Sequence, residues 1–192
     1  ASGWESVMRR VDIIGLVVGL LAVTLPQAVA AMSDASCSEL DIQFDGGNEF
    51  REQTCRTGGT GGSDGTATEE LIQATGSTAV IVVDHFAAGF RTYLERFDIR
   101  NAMAGSGVFE KTEAWSDPFQ RRRFQVGRFT GHFETIPGGG VACFTFARYA
   151  GHVASTTGYR HVLHGFYCDF LGTAEVADAR IDALMDAIKA DF

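Results

Sequence analysis

The chain lacks the short motifs that mark the commonest catalytic and nucleotide sites. It contains no P-loop, no dinucleotide fingerprint and no His-Glu-x-x-His, so nothing in it announces a phosphate cradle or a helical zinc site. It also lacks a Cys-x-x-Cys pair, without which the usual zinc knuckle cannot be built. Positive charge is scarce as well: 16 Lys and Arg face 24 Asp and Glu, for a formal net charge of −8. That balance argues against nucleic acid and against general binding to an anionic membrane, because both interactions rest on a basic surface.

What is present begins at the N-terminus. Met8-Arg9-Arg10 precedes an apolar run over residues 11–25 whose one charged member is Asp12, and Ala28-Val29-Ala30 follows. Basic start, apolar middle and small-residue close are the order of a secretory signal peptide. We therefore expect residues 1–30 to be a signal peptide, with 1–7 as upstream read-through, and the remainder to be periplasmic or secreted. The alternative is a retained membrane anchor over residues 13–31, near the roughly 18–20 residues that a spanning helix needs. It would make the chain an anchored accessory subunit.

Residues 31–192 form one ordinary domain, long enough to bury a core. They keep 14 basic and 22 acidic residues once Arg9, Arg10, Glu5 and Asp12 are set aside. Fifteen Phe against two Trp and four Tyr imply a ring-packed interior rather than a disordered tail. All four cysteines, Cys37, Cys55, Cys143 and Cys168, lie beyond residue 30, and an even count in an oxidising compartment favours two disulfides. Cys37 and Cys55 flank the turn signal Asp45-Gly46-Gly47-Asn48, and Cys143 and Cys168 flank Ser155-Thr156-Thr157-Gly158. The pairing 37–55 with 143–168 follows, each bridge contributing about 3–4 kcal/mol in the chain-entropy picture.

The expected fold class is α+β: a C-terminal three-stranded antiparallel meander, an N-terminal disulfide-closed hairpin, and two main helices packed on one face. Residues 57–66 read as a flexible Gly-rich loop, and 68–75 as a short helix. Val83, Phe86, Phe90, Tyr93, Leu94 and Phe97 recur at helical spacing, which predicts a long helix over 78–97. Ring-rich and β-branched segments over 121–135, 141–149 and 158–170 predict the meander, with a bulge near Gly127 where the alternation changes phase. Its register places Phe133 and Tyr167 opposite Phe144, and Gly131 and Gly165 beside Phe146. A last helix over 174–190, capped by Thr173, presents Val176, Ile181, Leu184, Met185 and Ile188 on one side.

Function is thinly marked. Arg121-Arg122-Arg123 with Arg128 is the dense basic patch, and alternate residues of one strand, Arg121 and Arg123, could grip a carboxylate or phosphate over an apolar floor of Trp115 and Phe119. The meander face opposite the core would carry His132, Thr145 and His164, groups compatible with a ligand. The candidate ligand-binding set is thus Arg121, Arg123, Arg128, His132, Thr145 and His164. No catalytic residue, metal or cofactor is assigned, and with both disulfides formed no thiol is left as a nucleophile. Asp84-His85 reads as a surface pair at a helix start. The expected activity is that of a non-enzymatic binding or accessory module of the cell envelope, for a protein, glycan or small anionic ligand. The alternative is an exported hydrolase or metal-dependent enzyme using His132 and His164 with Asp169 or Glu134.

Overall fold

The computed structural model describes residues 32–59, 67–89, 92–134, 140–154, 156–172 and 175–192. The expected signal peptide, most of the Gly-rich segment and the Thr173 cap lie outside the described residues, although Thr57, Gly58 and Gly59 are in a strand. Among the described residues no helix is long and apolar enough to cross a membrane.

Two antiparallel meanders make one large sheet. The first is β3 (Phe50–Gly59), β4 (Ala67–Gly76) and β5 (Ala79–Ala88); the second is β8 (Phe124–His132), β9 (Val141–His152) and β10 (Tyr159–Asp169). They join where β5 pairs with β10, giving the order β1-β3-β4-β5-β10-β9-β8-β6, with β1 (Ser33–Asp34) and β6 (Lys111–Glu113) at the edges and β7 (Phe119–Arg121) also paired to β8. A separate two-stranded ladder joins β2 (Ile42–Phe44) to β11 (Ile188–Ala190). Strand-rich architecture with, among the described residues, two short helices, α1 (Ile99–Ala104) and α2 (Asp178–Ala187), fits the α+β class.

Both faces of the sheet are covered, which explains where the expected elements differ. On one face Ile72, Ile81, Val83, Phe144, Phe146, Leu163 and Tyr167 pack against Ile181, Leu184 and Met185 of α2 and against Ile42 and Phe44. On the other, Val80, Val82, Phe129, Phe166 and Cys168 pack against Met103 of α1 and against Phe109. The two helices therefore lie on opposite faces, not on one. A strand buried on both sides loses its alternating pattern, and the run Ala79-Val80-Ile81-Val82-Val83 is such a strand. The helix expected over 78–97 is instead β5, on which Val83 and Phe86 of the apparent stripe point to opposite faces. The helix expected over 68–75 is β4.

The second meander turn has the expected register: Tyr167 faces Phe144, Gly165 faces Phe146 and Leu163 faces Arg148. The first does not. Arg128, not Phe133, faces Phe144, and Phe129 faces Cys143. The ladder runs unbroken from Gln125 to Gly131 with no bulge at Gly127. The displacement is an odd number of residues, so every β8 side chain changes face. Phe124 and Val126 serve one core while Phe129 serves the other, and this double burial is what imitated a phase change.

Glycines mark both cores. A Cβ on Gly165 would stand 1.9 Å from the Val82 carbonyl oxygen and 2.8 Å from Phe146 Cζ, and one on Gly131 would meet the Phe109 ring at 2.7 Å. The two glycines thus admit two different rings on two different faces.

Both disulfides form as expected, Cys37–Cys55 and Cys143–Cys168. Cys143 and Cys168 face each other on β9 and β10. The N-terminal element is not a hairpin, however: Cys37 lies in a single 3-10 turn, β2 pairs with β11, and β3 pairs with β4. The disulfide lies beside the short β1–β3 ladder, in which Ser33 faces Thr57 and Asp34 faces Arg56, and with it holds that segment to the sheet.

Candidate functional site

The arginine patch is a hairpin corner. Arg121 faces Phe124 across β7 and β8, so Arg122 and Arg123 form the two-residue turn, with Arg122 in the left-handed region at φ 54°. Arg121 and Arg123 therefore do not share a strand. Arg121 and Arg128 converge on Asp178, in the first turn of α2, and Arg128 Nε also donates to the Val176 carbonyl at 2.9 Å. Arg122 pairs with Asp186 at 3.0 Å. Arg123 is exposed. Trp115 lies elsewhere, stacked on Phe129, whereas Phe119 does sit beneath Arg128, 4.7 Å from the guanidinium carbon.

The remaining candidates divide. His132 bonds Glu113 at 2.8 Å between its Nε2 and Oε1, and donation from Lys111 and His132 holds the Glu113 carboxyl below its usual range. Thr145 and His164 share the α1 face. Thr145 is buried and its hydroxyl donates to the Gly165 carbonyl at 2.8 Å. By strand alternation His132 is on the opposite face from His164. Two arginines thus meet at one place, Thr145 and His164 share another, and His132 stands apart.

Around His164 the structure builds more than the sequence suggested. His164 on β10 faces Asp84 on β5, at the centre of the sheet. The closest approach, Nε2 to Oδ2, is 3.7 Å, and the other carboxyl oxygen, Oδ1, is buried without a hydrogen-bond partner. The two residues are only 5% and 6% exposed. Burial drives the His164 imidazole down to about 4, and burial together with the charge of Glu69 pushes Asp84 well above the usual carboxylate range, against the donation of the His85 main-chain N–H. At neutral pH the imidazole is therefore uncharged, and burial favours the protonated form of Asp84.

The rim of this site is aromatic and acidic. Phe86 stacks on His164 with ring centroids 5.7 Å apart, and Phe97 meets it edge-on at 5.2 Å. Phe97 is held by the Tyr149 hydroxyl, which bonds both its main-chain groups, and by the N-cap of α1, where Asp98 accepts from Arg100 and Asn101 at 2.8 and 3.0 Å. Glu69, Phe86 and Phe97 are each half-buried. Burial also raises the Glu69 carboxyl.

Because neighbours on a strand point to opposite faces, Glu69-Glu70 and Asp84-His85 supply a second polar group behind the first. Glu70 Oε2 and His85 Nδ1 are 3.1 Å apart, and His85 Nε2 and His161 Nδ1 are 3.3 Å apart. Both Glu70 oxygens also accept from the Asp41 main-chain N–H, at 3.0 and 3.1 Å. One set of tautomers satisfies the chain: His161 donates to His85, and His85 donates to Glu70. Far from being a surface pair at a helix start, Asp84 and His85 are both buried in β5. The signal available in the sequence was Asp84-His85 interrupting the apolar run 79–88, with a second polar pair, Glu69-Glu70, just ahead of Leu71-Ile72.

Among the described residues no group of three or more His, Cys, Asp or Glu side chains is arranged to hold a metal ion. The chain matches no protein-family model, no curated protein and no solved structure.

Proposed function

We propose that this chain is a non-enzymatic binding module of an oxidising, extracytoplasmic compartment, and that its ligand contacts Asp84 and His164 through the rim of Glu69, Phe86 and Phe97. The observation that carries the reading is the Asp84 Oδ1 atom, buried and unpartnered in a sheet whose neighbouring strands β9 and β10 are bridged by a disulfide. An unmade hydrogen bond of this kind costs about 1–3 kcal/mol, and a ligand donor that reached it would recover that cost on binding. Two rings beside a polar floor suit a ligand with an apolar body and hydroxyl donors, and a glycan is the class that fits best. An anion fits less well, because Glu69 borders the site and because Arg121 and Arg128 are already engaged by Asp178.

Periplasmic or secreted placement belongs to this proposal, supported by the two disulfides. Calorimetric titration with a panel of oligosaccharides tests the site. Asp84→Leu, which keeps the bulk but removes both carboxyl oxygens, is expected to weaken binding at least about tenfold, the roughly 1.4 kcal/mol of one lost hydrogen bond. Unchanged affinity in this variant would remove the assignment.

One observation favours a second reading. A buried carboxyl and imidazole whose proton affinities are displaced in opposite directions is a pattern found at acid–base sites. Under that reading Asp84 and His164 transfer protons in a hydrolase. Turnover of a bound glycan, lost in both Asp84→Asn and His164→Gln, would support it over simple binding.

A further inference from the structure

Behind the Asp84–His164 site, on the α2 face, one aromatic ring of the chain sits in a place built of polar groups. The His85 and His161 imidazoles meet edge to edge: their planes differ by 15°, their centroids are 5.5 Å apart and their facing nitrogens 3.3 Å apart. The Phe192 ring roofs both, 4.5 Å from each centroid and within 11° and 10° of their planes. Arg148 completes the place. Its guanidinium lies 5.2 Å from the Phe192 centroid and its Nη2 donates to the Phe192 carbonyl oxygen at 2.5 Å.

Part of the seat is fixed without Phe192. His85 is 1% exposed and is fixed by Glu70, which is fixed in turn by the Asp41 main-chain N–H. Arg148 projects from β9 opposite Leu163 of the core. Phe192, by contrast, arrives two residues after the β11–β2 pairing ends at Ala190. Like Ile188 and Ala187, Phe192 packs partly against the apolar core on this face, but its ring also lies on two imidazoles and beside a guanidinium. A flat π-stacking surface with a cation placed at the carbonyl recognises a phenyl group next to a carbonyl or carboxylate.

We propose that His85, His161 and Arg148 form a binding site for a phenyl group bearing an adjacent carboxylate or carbonyl, and that Phe192 is its resident, exchangeable occupant. The ligand class is an aromatic amino acid derivative or an aromatic peptide segment. This site is independent of the glycan reading, since it uses the opposite face of the sheet and none of the same side chains.

An internal occupant competes at a high effective concentration, so the wild-type chain binds an outside ring weakly. If Phe192 is seated in about nine-tenths or more of the molecules, removing it raises apparent affinity about tenfold or more. The probe is N-acetyl-phenylalanine, titrated into the full chain while the His85 and His161 ring resonances are followed by NMR. Phe192→Ala is expected to bind it about tenfold more tightly than wild type, with both imidazoles shifting, and Phe192→Ala/Arg148→Met is expected to lose that gain. N-acetyl-alanine, which lacks the ring, is expected to move neither resonance.

The proposal is overturned if folded Phe192→Ala shows no imidazole shifts with millimolar N-acetyl-phenylalanine, or if N-acetyl-alanine acts equally well. Phe192→Leu, which keeps apolar bulk without a π face, serves if the alanine variant does not fold. It is expected to bind the probe as well, and silence there overturns the proposal too.

Discussion

Asp84 and His164 face each other across β5 and β10 with 3.7 Å between Oδ2 and Nε2, a buried acid and base too far apart for a hydrogen bond. Burial penalises the charged form of each, and the two shifts act on stability in opposite directions.

The His164 imidazole titrates near 6.5 when unfolded and at about 4 in the fold, so the unfolded chain takes up the proton first. This group's contribution to stability is present above pH 6.5 and is lost as pH falls towards 4. Asp84 is raised, so the folded chain holds its proton longer and stability is lost as pH rises through the elevated value. Urea midpoints measured across pH are expected to lose the acid-side slope in His164→Gln and the alkaline-side slope in Asp84→Asn. An unaltered acid-side slope in His164→Gln would show that the imidazole is not buried neutral.

Arg128 and Arg122 separate a structural arginine from a surface one. Arg128 bonds the Val176 carbonyl and the Asp178 carboxylate where α2 begins, while Arg122 and Asp186 are both more than half exposed. Arg128→Ala is expected to cost about 2 kcal/mol, the range of hydrogen bonds to charged groups. Arg122→Ala is expected to cost under about 1 kcal/mol, as exposed pairs do. Chemical denaturation compares them directly, and equal costs would contradict the distinction.

Gly165→Ala tests the packing of Phe146. The added Cβ would enter the Val82 carbonyl oxygen, a main-chain atom of the neighbouring strand, so the strands must part to relieve it. A loss of at least about 3 kcal/mol is expected, beyond ordinary overpacking, and thermal unfolding would report it. A loss below about 1 kcal/mol would mean that β5 and β10 are less tightly apposed than described.

The Cys143–Cys168 bridge closes a sequence separation of 25 residues and Cys37–Cys55 one of 18. Loop entropy alone makes the two contributions nearly equal, about 3–4 kcal/mol each. The double variant Cys143→Ala/Cys168→Ala is nevertheless expected to cost more, because both sulfurs are buried in the core shared with Phe109 and Phe129. Denaturant midpoints for the two double variants rank them.

Much of the second meander was legible in the order of residues. Turn signals and ring-rich segments place β9 and β10 with their register, and the Ile181, Leu184 and Met185 face of α2 follows from helical spacing. The helix expected over 174–190 nevertheless spans Asp178–Ala187, with Val176 before it and Ile188 in β11, where pairing with β2 replaces the helix. The first meander was hidden by burial on both sides: in β4 and β5 the alternation that announces a strand is absent, and Val83 with Phe86 imitated a helix. The same burial concealed the site. His164 was identifiable as a candidate, but its partner Asp84 lies 80 positions earlier in the chain, on a segment read as a helix.

By itself the sequence determined the pairing of the four cysteines, the acidic balance and the C-terminal strands, because these depend on composition and on contacts close along the chain. Tertiary structure decided which strands are central, which face each histidine occupies and that Arg121 and Arg128 serve Asp178. Those outcomes depend on β5 and β10 meeting side by side, and a contact between segments so distant in sequence leaves no local periodicity from which it could be read.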